Sequence, residues 1–284
     1  MAPSGEALAV WSRFSDGRVA VWASHHSSAG AWGEPQRIEL DESGDAFDHQ
    51  VAVSPSGSGL ATWVQHLGDW GRVWARPYVP GSGWGQAQLL SAGGDNAAWP
   101  AVAAGHDAAF AAWVERINGR YAVWSSRYTP DAGWGPLQQI DISRAGHSNL
   151  PQIAVDTYGR ALAVWAGYDG VRHDILYNTY EPGVGWGQAQ LLEHESGDAM
   201  QPKVVLSAEG QALVVWLQEQ GGQQHVRTIQ YIPGIGWGEP QNLDLENSGE
   251  AAKPRVALGL DGTGLAVWLW QSNTQDAIAV SQFE

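Results

Sequence analysis

A tandem repeat of about fifty residues constrains this chain more than any other feature. An apolar segment ending in tryptophan recurs as ALAVW at 7–11, LATW at 60–63, FAAW at 110–113, ALAVW at 161–165, LVVW at 213–216 and LAVW at 265–268. The terminal Trp11, Trp63, Trp113, Trp165, Trp216 and Trp268 are spaced 52, 50, 52, 51 and 52 residues apart. A second motif runs in phase: AWGEPQ at 31–36, GWGQAQ at 83–88 and 185–190, GWGPLQ at 133–138 and GWGEPQ at 236–241. A third is an acidic glycine loop entering an apolar run, as in SGDAFDHQVAV at 43–53 and SGDAMQPKVVL at 196–206.

Each unit holds four short segments rich in Val, Ile, Trp and Tyr, separated by Gly, Pro, Asp or Ser. Labelled A to D, they fall in one unit at 50–54, 59–66, 72–78 and 84–90. The A–B link is a tight turn whose glycine (Gly57, Gly159, Gly210) supplies the left-handed position. No segment carries a sustained 3.6-residue apolar period with caps, so helix should be nearly absent. Four antiparallel strands repeated at this period predict an all-β β-propeller.

The expected units are 1–42, 43–92, 93–144, 145–195, 196–247 and 248–284, a single propeller domain spanning 1–284. Pro3-Ser4-Gly5 aligns with the A–B turn Pro55-Ser56-Gly57, so the first of about six blades lacks its inner strand and the last lacks its outer strand. The alternative is a stretch of a longer array that closes by dimerising or swapping. Open blade edges make a homo-oligomer one expected partner arrangement.

The repeat also sorts the 17 tryptophans. The six at the end of B and the five in D recur at equivalent positions, which is the behaviour of blade-to-blade packing. Trp22, Trp74 and Trp124 share a face with the aromatics closing strand C and read as core. Trp70, Trp99 and Trp270 break the pattern: Trp70 is expected in a B–C loop, Trp99 in a D–A loop, and Trp270 two residues past a repeat Trp. The end of B, the B–C loop and the D–A loop should share one face. The residues there that do not repeat, Arg13, Asp48, Gln65 and Trp70 in the first two units and Trp99, Glu115, Gln218 and Trp270 in the later ones, form the expected ligand-binding set.

Net charge is −15, with no basic footprint for nucleic acid, and no apolar run approaches a membrane helix, so neither nucleic-acid binding nor membrane insertion is expected. Cysteine is absent, which removes thiolate chemistry. No catalytic residue, metal or other cofactor is assigned. The nine histidines show no HExxH, and adjacent His25-His26 in a strand point to opposite faces. Asp41, Ser43 and Asp45 begin like a calcium loop, but the later Gly and distal Glu are missing, as they are around Glu195/Asp198 and Glu246/Glu250. A carboxylate pair such as Asp48 with Glu115 would suit glycoside hydrolysis only at the right separation.

The units P-x-V-A-V-x-x-x-G-x-A-L-A-V-W, V-W-x-S-R-Y-x-P and G-W-G-x-x-Q-x-L, clearest at 151–165, 123–130 and 236–243, resemble tandem repeats of bacterial secreted and cell-surface propeller proteins. The Gly-Trp strand is more distantly similar to propeller lectins with a Gly-Trp in each blade. The resemblance implies an extracellular or cell-surface setting and carries no assigned activity; no lectin residue transfers, because Arg13 has no Arg equivalent in later units. The expectation is a non-catalytic, lectin-like module for a glycan or a surface-protein ligand. A structural or protein-interaction segment is the first alternative, and a propeller glycoside hydrolase or lyase the second.

Overall fold

The computed structural model describes residues 1–39, 44–91, 93, 96–141, 146–244, 249–259, 263–272 and 276–283. Every regular element among them is a β-strand. Six antiparallel sheets follow the repeat: a B-C-D sheet first, four A-B-C-D sheets, and an A-B-C sheet last. These are the blades of a β-propeller. The chain forms two compact units, Met1–Gln139 with blades 1 to 3 and Ile140–Glu284 with blades 4 to 6.

Strands are longer than the sequence pattern suggests. In blade 2, A is Ala46–Val53, B is Gly59–Leu67 and C is Trp70–Val79. D breaks into Gly83–Trp84 and Gln88–Leu89, both paired to C. Asp16-Gly17 and Asn118-Gly119 close B–C hairpins with positive φ at both residues, the turn type that matches strand twist.

Strand A carries the unexpected feature. Its pairing with B slips by a bulge in blades 2 to 6. At each bulge a non-glycine residue sits in the left-handed region: Asp48, Trp99, Leu150, Gln201 and Lys253, with φ between 49° and 54°. In four of the five the next residue is proline (Pro100, Pro151, Pro202, Pro254), which has no N–H to give the ladder. The left-handed backbone costs each L-residue roughly 1 kcal/mol.

The core lies between neighbouring blades. Trp63 packs with Val21, Ala23 and Ile38 of the preceding blade, and Trp113 with Leu60, Val64 and Val73. Trp216 packs with Val164 and Ile175, and Trp268 with Leu217 and Val226. Trp63, Trp113 and Trp216 are fully buried and Trp268 is 5% exposed.

The acidic glycine loop clasps adjacent blades. Its carboxylate or amide accepts the backbone N–H at the start of strand C in the blade before: Val19 to Asp45 at 2.7 Å, Gly71 to Asn96 at 2.7 Å, His173 to Asp198 at 2.7 Å and Gln224 to Glu250 at 3.0 Å. Glycine is required beside it, since a Cβ on Gly197 would lie 2.1 Å from the Glu219 carbonyl oxygen and one on Gly44 2.6 Å from that of His66. Asp45 therefore has a structural duty; Asp41, Ser43 and Glu246 lie outside the described residues.

The His173 backbone N–H is the main cause holding the Asp198 carboxyl below its ordinary range, with the His173 side chain adding to it. Asp198→Ala should therefore lower stability by about 1 kcal/mol at neutral pH. A carboxylate with a depressed folded pKa contributes fully above its unfolded value and loses that contribution as pH falls through the folded one. The variant and parent should thus converge in acid. Equal stability at pH 7 would remove the clasp's role.

Candidate functional site

The expected ligand set separates into three groups. Gln65, Glu115 and Gln218 are interior, at 0%, 1% and 1% exposure. Each accepts the indole N–H of the repeat tryptophan two residues before it: Trp63 Nε1 to Gln65 Oε1 at 3.2 Å, Trp113 Nε1 to Glu115 Oε2 at 3.3 Å, and Trp216 Nε1 to Gln218 Oε1 at 2.9 Å. These three were expected on the loop face, and their place is corrected by burial: the strand end turns them inward to satisfy a buried donor. Where that position holds Gly167 or Trp270, the indoles of Trp165 and Trp268 have no hydrogen-bond partner. Glu115 also accepts the Gly93 N–H at 3.0 Å, so it is not free to pair with Asp48 in glycoside chemistry.

Trp270 likewise belongs to packing. It joins the cluster around Trp268, and its ring occupies the space above Gly249, where a Cβ would lie 2.5 Å away. Trp70 opens strand C and pairs with Leu67 instead of lying in a loop. Trp99 stands at the strand-A bulge instead of in the D–A loop, with its ring 6.3 Å from that of Tyr121.

Asp48, Trp70, Trp99 and Arg13 remain exposed. Arg13 lies over the Trp22 ring at 5.3 Å. Asp48 occupies the equivalent bulge to Trp99; the residue is exposed overall, but partial desolvation of its carboxyl against the sheet raises it against the pull of His49. His49 Nδ1 meets Ser12 Oγ at 3.0 Å. In the second unit the row of strands A carries Lys203 and Arg255 at equivalent positions of neighbouring blades. Burial, then the Arg255 charge, brings the Lys203 ammonium down to about 8. Among the described residues no group of three His, Asp or Glu side chains is placed to hold a metal ion.

A cavity lies elsewhere, between blades 4 and 5 at the A–B turn end, with about 340 Å³ of free volume. That is within the range of small-ligand sites. Tyr177, Tyr231 and Trp237 form its aromatic wall, with Asp156, Arg160 and Gln190 beside them. The Trp237 ring meets Tyr177 and Tyr231 edge-on or tilted at 5.2 Å each. The Tyr177 hydroxyl donates to Gln190 Oε1 at 3.0 Å. Arg160 Nε donates to Asp156 Oδ2 at 2.6 Å, while Asp156 Oδ1 caps the turn by accepting the N–H groups of Tyr158 and Arg160. Asp156 is thereby fully used and is not a free acid or base. The gap at the A–B turns of blades 2 and 3 has only about 50 Å³, so the larger cleft is not a product of the repeat.

Tyr177 marks the difference. Its register position in strand C holds Ala23, Ala75, Ser125 and Thr228 in blades 1, 2, 3 and 5. A small residue there is the rule, and one blade substitutes a large aromatic at a cavity wall. The sequence pattern counted only tryptophans that break the repeat; aligning strand C residue by residue exposes this tyrosine.

No protein-family model and no curated protein matches the chain. Solved structures resemble it in fold. An α-L-arabinanase from Penicillium chrysogenum, complexed with arabinobiose, aligns with TM-score 0.63 at 14% identity, covering 100% of this chain and 91% of that one. The intramolecular trans-sialidase from Ruminococcus gnavus aligns with TM-score 0.62 at 8% identity, covering 99% and 92%. A protein of unknown function from Dyadobacter fermentans aligns with TM-score 0.59 at 11% identity, covering 87% and 81%. At these identities the likeness is one of fold.

Proposed function

We propose that the chain is a non-catalytic, lectin-like carbohydrate-binding propeller that takes its sugar in the cleft between blades 4 and 5. The observation that carries this reading is Tyr177, a large aromatic beside Trp237 and Tyr231 where other blades keep a small residue. Flat aromatic faces accept the C–H face of a sugar ring, and Gln190, Arg160 and the tyrosine hydroxyls offer partners to its hydroxyls. The neighbouring structures described as an arabinanase with arabinobiose and a trans-sialidase lend the fold a glycan-handling precedent. They favour a second reading, a glycoside-cleaving propeller, more than they favour binding alone. Binding is preferred because two carboxylates line the cleft, Asp156 and Glu181, and Asp156 is consumed by Arg160 and its own turn, which leaves Glu181 without the second carboxylate that glycoside hydrolysis uses. The resemblance to secreted repeat proteins supports action outside a bacterial cell. Among the described residues no helix is long and apolar enough to cross a membrane.

The test is a glycan array including arabino- and sialo-oligosaccharides, followed by calorimetry on the best ligand. Tyr177→Ala should weaken binding about tenfold or more, the scale of one lost aromatic contact. It should leave the fold intact, because Ala75 already occupies this position in blade 2. Absence of any glycan binding, or wild-type affinity in Tyr177→Ala, rejects the proposal. Release of free sugar from the bound ligand would replace it with the cleaving reading.

A further inference from the structure

Blade 4, inside the second unit, departs from the repeat twice in one strand. Besides Tyr177, its strand C carries Glu181 at its end. Glu181 pairs with Gly185 of strand D, and the same step pairs Val79 with Gly83, Thr129 with Gly133 and Ile232 with Gly236 in blades 2, 3 and 5. An uncharged residue is the rule at this position, and blade 4 puts an acid there. Tyr177 and Glu181 are four residues apart on a strand, so their side chains leave the same face. Both line the cleft between blades 4 and 5.

The charges in the cleft do not balance. Asp156, Arg160 and Glu181 are its charged side chains. The Arg160 guanidinium is committed: Nε donates to Asp156 Oδ2 at 2.6 Å and Nη2 to the Glu209 carbonyl oxygen at 3.0 Å. Asp156 thereby neutralises it. Glu181 is exposed, and among the described residues its carboxylate has no hydrogen bond or ion pair. The cleft thus offers a ligand one uncommitted negative charge and no uncommitted positive one. A glycan bearing carboxylates or sulfates meets repulsion there. A cationic glycan meets attraction, to which the net charge of −15 adds at longer range.

The aromatic wall suits the same charge. The Trp237 ring is inclined at 66° to Tyr177 and 59° to Tyr231, with centroids 5.2 Å apart in each pair. Rings tilted in this way form the sides of a corner, where coplanar rings would form a flat platform. Each ring face carries the negative part of the quadrupole and attracts an ammonium group, and grouped aromatic rings are how such cations are held. A neutral sugar can use only the ring faces; a sugar bearing an amine can use the faces and the carboxylate together.

We infer that the cleft selects an amino sugar, with the sugar ring against Tyr177 and the protonated amine directed to Glu181. This rests on the carbohydrate-binding reading of the cleft and names its ligand class.

Calorimetry with two oligosaccharides of equal length tests it: a β-1,4-linked glucosamine oligomer and its fully N-acetylated counterpart, at pH 6 and low salt. Acetylation removes the charge and keeps the sugar backbone. The amine form should bind about tenfold more tightly, and added salt should erode that preference. Glu181→Gln should keep the parent's melting temperature and bring the amine form to the affinity of the acetylated one. Choline, a cation with no sugar ring, should bind at least about tenfold more weakly than the glucosamine oligomer. Equal affinity for the two oligomers, or an amine preference that survives Glu181→Gln, overturns the amino-sugar assignment and leaves the carbohydrate-binding reading standing. Choline bound as tightly as the oligomer overturns both, in favour of a cationic ligand without a sugar. Binding of neither oligomer rejects the assignment, and the glycan array then decides the broader reading separately.

Discussion

Trp216→Ala is expected to destabilise the second unit by about 3–5 kcal/mol. Three losses add. The side chain is fully buried and packs with Leu162, Val164 and Ile175 of blade 4, so its removal leaves an apolar cavity. Its indole is the donor that Gln218 Oε1 accepts at 2.9 Å, and that oxygen would be left buried. Gln218 Nε2 meanwhile donates to the carbonyls of Ser196 and Gly197, so the damage reaches the glycine loop that clasps the blades. Urea unfolding of the variant measures the effect. A loss below about 1 kcal/mol would mean that the neighbouring blades collapse onto the gap, and the packing role assigned to the repeat tryptophans would fail.

Lys203→Met should act in the opposite direction and stabilise the protein by about 1–3 kcal/mol at pH 7. Burial first, and the neighbouring Arg255 charge second, lower the Lys203 ammonium to about 8. The unfolded chain keeps the ordinary lysine value, so between pH 8 and that value the unfolded state holds more protons than the folded one. Stability therefore rises with pH through this window in the parent, and the full penalty applies below it. Methionine keeps the aliphatic length and removes the charge. The variant should show a higher melting temperature at pH 7 and a flatter profile above pH 8. Equal stability at pH 7 would show that Lys203 reaches water freely.

The fold was legible because the repeat is long, regular and full of turn residues with fixed roles. The site was less so, for identifiable reasons. Gln65, Glu115 and Gln218 looked like surface variation because they differ between blades, yet they vary as alternative acceptors for one conserved donor geometry within the chain. Trp99 looked like a loop residue because a bulge before proline has no signature in hydrophobic alternation. Tyr177 escaped because strand C already carries many aromatics, and only the register shows that Ala75 and Ser125 share its slot. The cleft depends on space between two strands, which spacing along one chain does not encode.

The bulges in the strands A have a consequence for how such a chain can change. A left-handed backbone at Asp48, Trp99, Leu150, Gln201 and Lys253 is fixed by its surroundings, whatever the side chain. An acid, an indole, an aliphatic, an amide and an amine have all been installed in the same socket without altering the strand around it. Mutation at these sockets can exchange one chemistry for another while the scaffold pays nothing further. The molecule thus separates the part of its sequence that must be kept from the part that is free to diversify, one socket in each of blades 2 to 6.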